Sequence, residues 1–258
     1  LKQGHFLTFS SSGTQIQRYW NQRFAQKTDD SFETAQKKII EKLDQAVQYR
    51  LVSDVPVGVF LSGGIDSSTV VALMARHRAG KDIQTFSINF NEKSYDESSY
   101  SSLVAKKFGT NHHEEFLSPK TMVDIFPEVV AYLDEPIADG SILPTYLLSR
   151  FTRKYVKVAL GGDGADELFA GYPTFFAKRL ANVCQKIPSC LLSVAKKLAR
   201  LDPVSDKNMS LDFKLNLFWS ALKFEGPKRN QVWLSGAQPD EQQCLFARPF
   251  LERFGDRD

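Results

Sequence analysis

The sequence predicts an α/β fold: a parallel sheet flanked by helices, followed by a mostly helical C-terminal extension. Three observations carry that expectation. The apolar run Val57-Gly58-Val59-Phe60-Leu61 shows no polar alternation, as expected of a central strand buried on both faces. Strand-like runs alternate with amphipathic stretches of helical length, the pattern of a parallel sheet covered by helices. Two of the strands end in glycine-rich acidic turns, and in such sheets ligands sit beyond the carboxyl ends of the strands.

Composition sets the outer bounds. The 258 residues suffice for one large domain or two small ones, and 42% hydrophobic with 24% charged residues is an ordinary globular balance. A net charge of +3 is too small to argue for a nucleic-acid partner. Cys184, Cys190 and Cys244 lie far apart without a C-x-x-C pair, so neither a zinc site nor a disulfide framework is indicated. No stretch approaches the ~18 apolar residues of a membrane span and no signal peptide opens the chain, which makes cytoplasm the expected compartment. The chain starts at Leu1 and opens mid-pattern, as a piece of something longer would.

Taken in order, residues 1–29 read as a strand or two and a linker. Asp30 is the expected N-cap of an amphipathic helix over 31–50, with Glu33 three residues on and Phe32, Ala35, Ile39, Leu43, Ala46 and Val47 inward. The strand at 57–61 leads through Ser62-Gly63-Gly64-Ile65-Asp66-Ser67-Ser68 into a buried helix beginning Thr69-Val70-Val71. A second strand spans Ile83 to Phe90; the next helix turns Tyr100, Leu103, Val104 and Phe108 inward and stops at Gly109. His112 to Leu117 gives a third strand, with the two histidines read as structural. Ser118-Pro119 then caps a helix burying Met122, Ile125, Phe126, Val129, Val130 and Leu133. Tyr155 to Leu160 is another strand. Beyond Thr174 helical spacing recurs, and Phe218, Trp219 and Trp233 read as core of a region covering one side of the sheet.

The two strand-end loops carry the chemistry. A strand, a glycine turn and a helix N-terminus together direct free backbone N–H groups at an anion. Ser62, Ser67 and Ser68 add hydroxyls, while Asp66 would repel phosphate unless a cation lay between them, which points to a polyphosphate with a divalent metal. No lysine follows Gly64 as a P-loop requires, and adjacent glycines fail the G-x-G-x-x-G fingerprint. The S-G-G-x-D-S pattern that remains resembles the PP-loop of ATP pyrophosphatases. The second loop, Gly161-Gly162-Asp163-Gly164-Ala165-Asp166-Glu167, would close on one nucleotide from the other side, with Asp66 and Asp166 as oxygen ligands for Mg²⁺. It lacks the EF-hand spacing for calcium.

Four stretches are similar to the synthetase domain of glutamine-hydrolysing asparagine synthetases: Ser62 to Ser67, Leu133-Asp134-Glu135-Pro136, Pro144 to Leu148, and Gly162 to Tyr172. The resemblance runs from about residue 50 to about 175 and implies an adenine nucleotide alpha hydrolase-like fold. It divides the chain into a linker and glutaminase remnant (1–29), a PP-loop synthetase core (30–175) and a truncated helical extension (176–258). It implies ATP and Mg²⁺ as cofactors and aspartate or another carboxylate as acceptor. Ammonia would come from a glutaminase domain absent from this stretch; a homodimer is a further expectation, with no nucleic acid and no membrane. Ser62, Gly63, Gly64, Asp66 and Ser67 would hold pyrophosphate, backbone at Leu61, Ile88 and Gly162 would face the adenosine, and Asp66 and Asp166 would hold the metal.

Asp163 stands where many members carry glutamate, a candidate for handling the proton of attacking ammonia. Asp134, Glu135 and Asp139 either orient the substrate or cap the next helix. Gly161 replaces a usual serine and Ala170 a usual glycine. The family's catalytic lysine, in an R-x-K-x-x-F-like segment, has no match after residue 176. The chemistry implied is adenylation of aspartate followed by ammonia attack. Alternatives are a relative acting on another carboxylate and a nucleotide-binding fragment without turnover.

Overall fold

The computed structural model describes residues 1–22, 27–135, 137, 139–199, 205, 207, 209–235, 241 and 244–254. They fall into two units, Leu1–Gln45 and Ala46–Asp258. In the first, β1 (His5–Ser10) and β2 (Gly13–Arg18) form an antiparallel hairpin in the register His5↔Arg18 to Ser10↔Gly13. α1 (Phe32–Arg50) follows and runs across the division into the second unit. Its N-cap is Ser31 rather than Asp30: the Thr34 amide donates to Ser31 Oγ at 3.2 Å. Asp30 is engaged elsewhere, accepting from Lys38 Nζ at 2.7 Å, which lowers its pKa. The inward face is also narrower than expected, because Phe32 and Ile39 are exposed while Val47 is buried.

The second unit is built on four parallel strands in the order β5-β4-β3-β6, namely β3 (Val57–Phe60), β4 (Gln84–Phe90), β5 (Asn111–Leu117) and β6 (Val158–Leu160). This is the expected parallel sheet, with the unalternating run of β3 inside it and Val57 and Val59 fully buried. The strand expected over 155–160 is shorter. The amides of Tyr155 and Val156 bond back to the Thr152 carbonyl, so those residues finish the preceding helix instead. α2 (Ile65–Met74) starts four residues earlier than its apolar run, at the glycine turn itself.

α3 (Ser98–Phe108) ends at Gly109 in the left-handed region, as expected. It is rotated from its expected face: Ser101 and Ala105 are buried, whereas Tyr100 and Leu103 are exposed. In α4 (Pro119–Tyr132), Ser118 accepts from the Thr121 amide at 3.1 Å as the expected cap. Ile125 and Val129 pack with Leu117 and with Leu147 of α5 (Ile142–Thr152), but Phe126 and Val130 stay exposed. Another part of the core joins Phe86 to Phe151 and Val156.

The sheet also carries buried polar side chains, each with a partner. Thr85 Oγ1 lies 2.9 Å from both Thr110 Oγ1 and His112 Nδ1, Ser87 Oγ donates to the Leu61 carbonyl, and Asn89 Nδ2 donates to Glu114 Oε1 at 3.0 Å. His113 stacks on Phe86 and bonds Gln84 Oε1 at 2.8 Å; burial, then the neighbouring His112, lowers its pKa.

After β6 come α6 (Ala165–Phe169), α7 (Pro173–Cys184), α8 (Ser189–Ala199), α9 (Leu211–Ala221), α10 (Gly226–Leu234) and α11 (Arg248–Phe254). Ala181, Ala221, Val232 and Trp233 form a core of their own, with Phe218 packed against it. Arg229 is buried beside them, its Nε donating to the Phe224 carbonyl at 2.7 Å and its Nη1 to Asn182 Oδ1 at 3.3 Å.

Ala170 ends α6 with φ 57° and ψ 41°, a left-handed conformation that strains any residue with a Cβ. The strain costs about 1–2 kcal/mol in an L-residue, of which glycine's extra freedom in the unfolded chain returns roughly 0.4–1. Ala170→Gly is therefore expected to stabilise the protein by about 0.5–1 kcal/mol, read as a higher urea midpoint. A lower midpoint would show that the strain is not relieved.

Candidate active site

The first loop grows out of the β3–β4 ladder. Leu61 extends it by donating to the Phe86 carbonyl at 2.8 Å, and its own carbonyl accepts from Ser87 Oγ. The chain then turns through Gly63, at φ 84°, into the first turn of α2. Side chains brace the turn: Ser62 Oγ lies 3.0 Å from Ser67 Oγ and accepts from the Gly64 amide at 3.2 Å. A Cβ on Gly63 would sit 2.5 Å from both Tyr100 Cβ and the Ser101 nitrogen, so α3 closes tightly over the loop. The first N–H groups of α2 have no acceptor within the helix and point past this turn.

The second loop leaves β6 and meets the first. The pairing of Val59 with Leu160 brings both strands to the same end of the sheet. There a Cβ on Gly162 would lie 2.9 Å from both Asp66 Cβ and the Ser67 nitrogen. The sequence-derived loops are thus in direct contact, and only a residue without a side chain fits between them.

Together they border a cleft of about 480 Å³. Leu61, Ser62, Asp66, Ser67, Ile88, Gly162, Asp163 and Asp166 all line it. Gly63 and Gly64 shape the turn without lining the cleft. Asp134 and Glu135 are exposed and are not part of the lining. Asp139 also lies outside it and accepts from the Ser141 amide at 2.9 Å just before α5, which lowers its pKa. Apolar walls come from Phe60, Phe86, Phe90 and Leu148.

Several lining residues were given no site role by the sequence. Ser87 and Asn89 are buried in β4, and Pro144 and Thr145, from a stretch noted only for its family resemblance, lie in the first turn of α5. Glu97 stands at the N-terminal end of α3, where burial, then Asp96, raises its pKa. Its signal was positional: an acid pair just after a parallel strand's carboxyl end. Glu167 accepts from the Tyr172 hydroxyl at 2.6 Å; this lowers the Glu167 pKa and pushes the tyrosine up to about 12.

The electrostatics of the cleft are one-sided. Asp66, Glu97, Asp163, Asp166 and Glu167 line it, and among the described lining residues there is no Lys, Arg or His. An anion would enter such a cleft only with a cation beside it. Among the described residues no group of three or more His, Cys, Asp or Glu is arranged to hold a metal ion. Two carboxylates from facing loops nonetheless suit Mg²⁺, which keeps several waters and takes phosphate oxygens rather than a full protein cage.

Comparison with known proteins bears on the whole stretch. The chain is 38% identical over 191 residues to asparagine synthetase [glutamine-hydrolyzing] 3 of Bacillus subtilis, covering 68% of this chain and 30% of that protein. It is 30% identical over 278 residues to asparagine synthetase [glutamine-hydrolyzing] 2 of Oryza sativa subsp. japonica, covering 97% of this chain and 46% of that one. The chain therefore spans less than half the length of either relative. Among solved structures, glutamine-dependent NAD+ synthetase from Acinetobacter baumannii aligns with TM-score 0.42 and 15% identity over 86% of this chain and 47% of that chain. That likeness is too loose to support a conclusion. The asparagine synthase family profile matches residues 38–242, and the chain belongs to that family.

Proposed function

We propose that this chain serves ATP-dependent amide synthesis: aspartate is activated as β-aspartyl-AMP with release of pyrophosphate, and ammonia then displaces AMP to give asparagine. The observation that carries this reading is the contact of the two glycine loops at one cleft, Gly162 lying against Asp66 and Ser67. A carboxylate oxygen attacks the α-phosphorus, and the bond from that phosphorus to the bridging oxygen of the β-phosphate breaks. The α2 N–H groups and the hydroxyls of Ser62 and Ser67 hold the departing pyrophosphate, while backbone at Leu61, Ile88 and Gly162 faces the adenosine. Mg²⁺, held by Asp66 and Asp166, would supply the charge neutralisation that two reacting anions need. Asp163 is the group in this reading that takes the proton of attacking ammonia.

The acceptor would approach past Pro144 and Thr145, with Asp134, Glu135 and Asp139 in the segment leading there. Residues 1–29 serve as linker and glutaminase remnant, 30–175 as the synthetase core and 176–258 as a helical extension. Ammonia reaches the core from a glutaminase domain outside this stretch, and the protein works in the cytoplasm as a homodimer. Among the described residues no helix is long and apolar enough to cross a membrane. A second reading keeps the adenylation and changes the acceptor. It is favoured by the lack of a basic residue, among the described lining residues, to hold the α-carboxylate of free aspartate.

Pyrophosphate release by the complete protein, screened across carboxylates with ATP and ammonium, separates the two. Release that depends on aspartate is expected; release with another acid and not with aspartate selects the second reading, and none with any acid rejects both. Asp66→Ala is expected to keep its circular dichroism and weaken Mg-ATP binding about tenfold or more, a loss of roughly 1.4 kcal/mol; unchanged affinity would remove Asp66 from the metal site. Gly162→Ala inserts a methyl where the loops touch and should weaken ATP binding by a similar factor. Wild-type affinity in that variant would mean that the two loops do not form one site.

A further inference from the structure

A second cavity, of about 550 Å³, lies beside α5 and the segment that leads into β6, and it shares only Phe60 with the cleft described above. Its charge is the reverse of the first. Arg150, Arg153 and Lys157 border it, and among the described lining residues there is no Asp or Glu. Glu128 answers part of that charge, its Oε2 lying 3.3 Å from Arg150 Nη1. The side chains of Arg153 and Lys157 have no hydrogen-bond or ion-pair partner among the described residues.

A buried group points the same way. Thr152 lines this cavity, is 4% exposed, and its Oγ1 has no hydrogen-bond partner among the described residues. A threonine near the end of a helix can return its hydroxyl to the carbonyl one turn back, and this one does not. A buried hydroxyl without a partner is unfavourable, so an acceptor entering the cavity would satisfy it. The remaining surface is apolar and aromatic. Val156 and Ala159 join Phe60, and the rings of Tyr132 and Tyr146 stand 5.8 Å apart, with the Arg150 guanidinium 5.8 Å from the Tyr146 ring centre.

We propose that this cavity binds a small organic anion, its carboxylate or phosphate held by Arg153, Lys157 and the Thr152 hydroxyl and its aromatic body laid on Phe60 and Tyr146. Charge-assisted bonds would supply the grip, and the rings would select against inorganic ions of the same charge. The site is independent of the reaction proposed for the first cleft.

Isothermal titration of the chain with phenyl phosphate, benzoate and inorganic phosphate tests this. One-site saturable binding of phenyl phosphate or benzoate, tighter than that of inorganic phosphate, is expected, and which of the two binds better identifies the acid group. Arg153→Gln and Lys157→Gln, both at exposed positions, should each weaken it about fivefold or more. Thr152→Val should weaken binding while raising the melting temperature of the free protein, because it removes the unpartnered hydroxyl. Lys154, which sits over the Phe151 ring and outside the cavity lining, is the control, and Lys154→Gln should leave binding unchanged. No saturation by either organic anion up to about 10 mM, tighter binding of inorganic phosphate, or an equal loss in Lys154→Gln would overturn the proposal.

Discussion

Everything at the first cleft depends on one close approach, the backbone of Gly162 against Asp66 and the Ser67 amide. Two loops a hundred residues apart in sequence meet there because β6 pairs with β3 in the register Val57↔Val158 to Val59↔Leu160. The parallel pairing sends both loops out of the same end of the sheet, and the missing side chain lets them touch. A larger residue would push the second loop away and widen the space the phosphates are proposed to fill. Gly63 does the same on the other side, where α3 presses on the first loop.

The charge of the cleft follows from that packing. Five carboxylates converge without a basic residue among the described lining. This differs from phosphate sites built around a lysine, where the protein itself supplies the positive charge. In the proposed reaction the counter-charge would arrive with the nucleotide, and affinity for ATP would then be a function of the divalent ion. The Glu97 and Glu167 pKa values move in opposite directions for local reasons, burial in one case and a tyrosine hydroxyl in the other.

The strand ends and their loops are legible in the sequence because glycine, serine and aspartate interrupt apolar runs abruptly. Caps were legible where one residue type suffices, as at Ser118 and Gly109. Helix faces were less so. In α3 the apolar residues Tyr100 and Leu103 are exposed while Ser101 and Ala105 are buried, and the turn at Gly63 packs against the helix backbone itself, where a Cβ on the glycine would lie 2.5 Å from both Tyr100 Cβ and the Ser101 nitrogen. A scale of apolarity cannot register a backbone contact made by a distant turn. Likewise Tyr155 and Val156 have strand-like side chains, yet their amides are taken by the end of α5. Glu97 was not visible as a lining residue since nothing local marks it apart from its place after β4.

The polar row of β4 has a further consequence. Thr85, Ser87 and Asn89 are buried, and each finds its partner on an adjacent segment of the sheet: Thr110 and His112, the Leu61 carbonyl, and Glu114. Sliding any strand by one residue turns its side chains to the opposite face, and sliding β4 would in addition orphan three buried polar groups, at about 1–3 kcal/mol each. The row thus works as a set of keys that admits one alignment of the sheet, and with it one alignment of Leu61 and Ile88 at the mouth of the cleft.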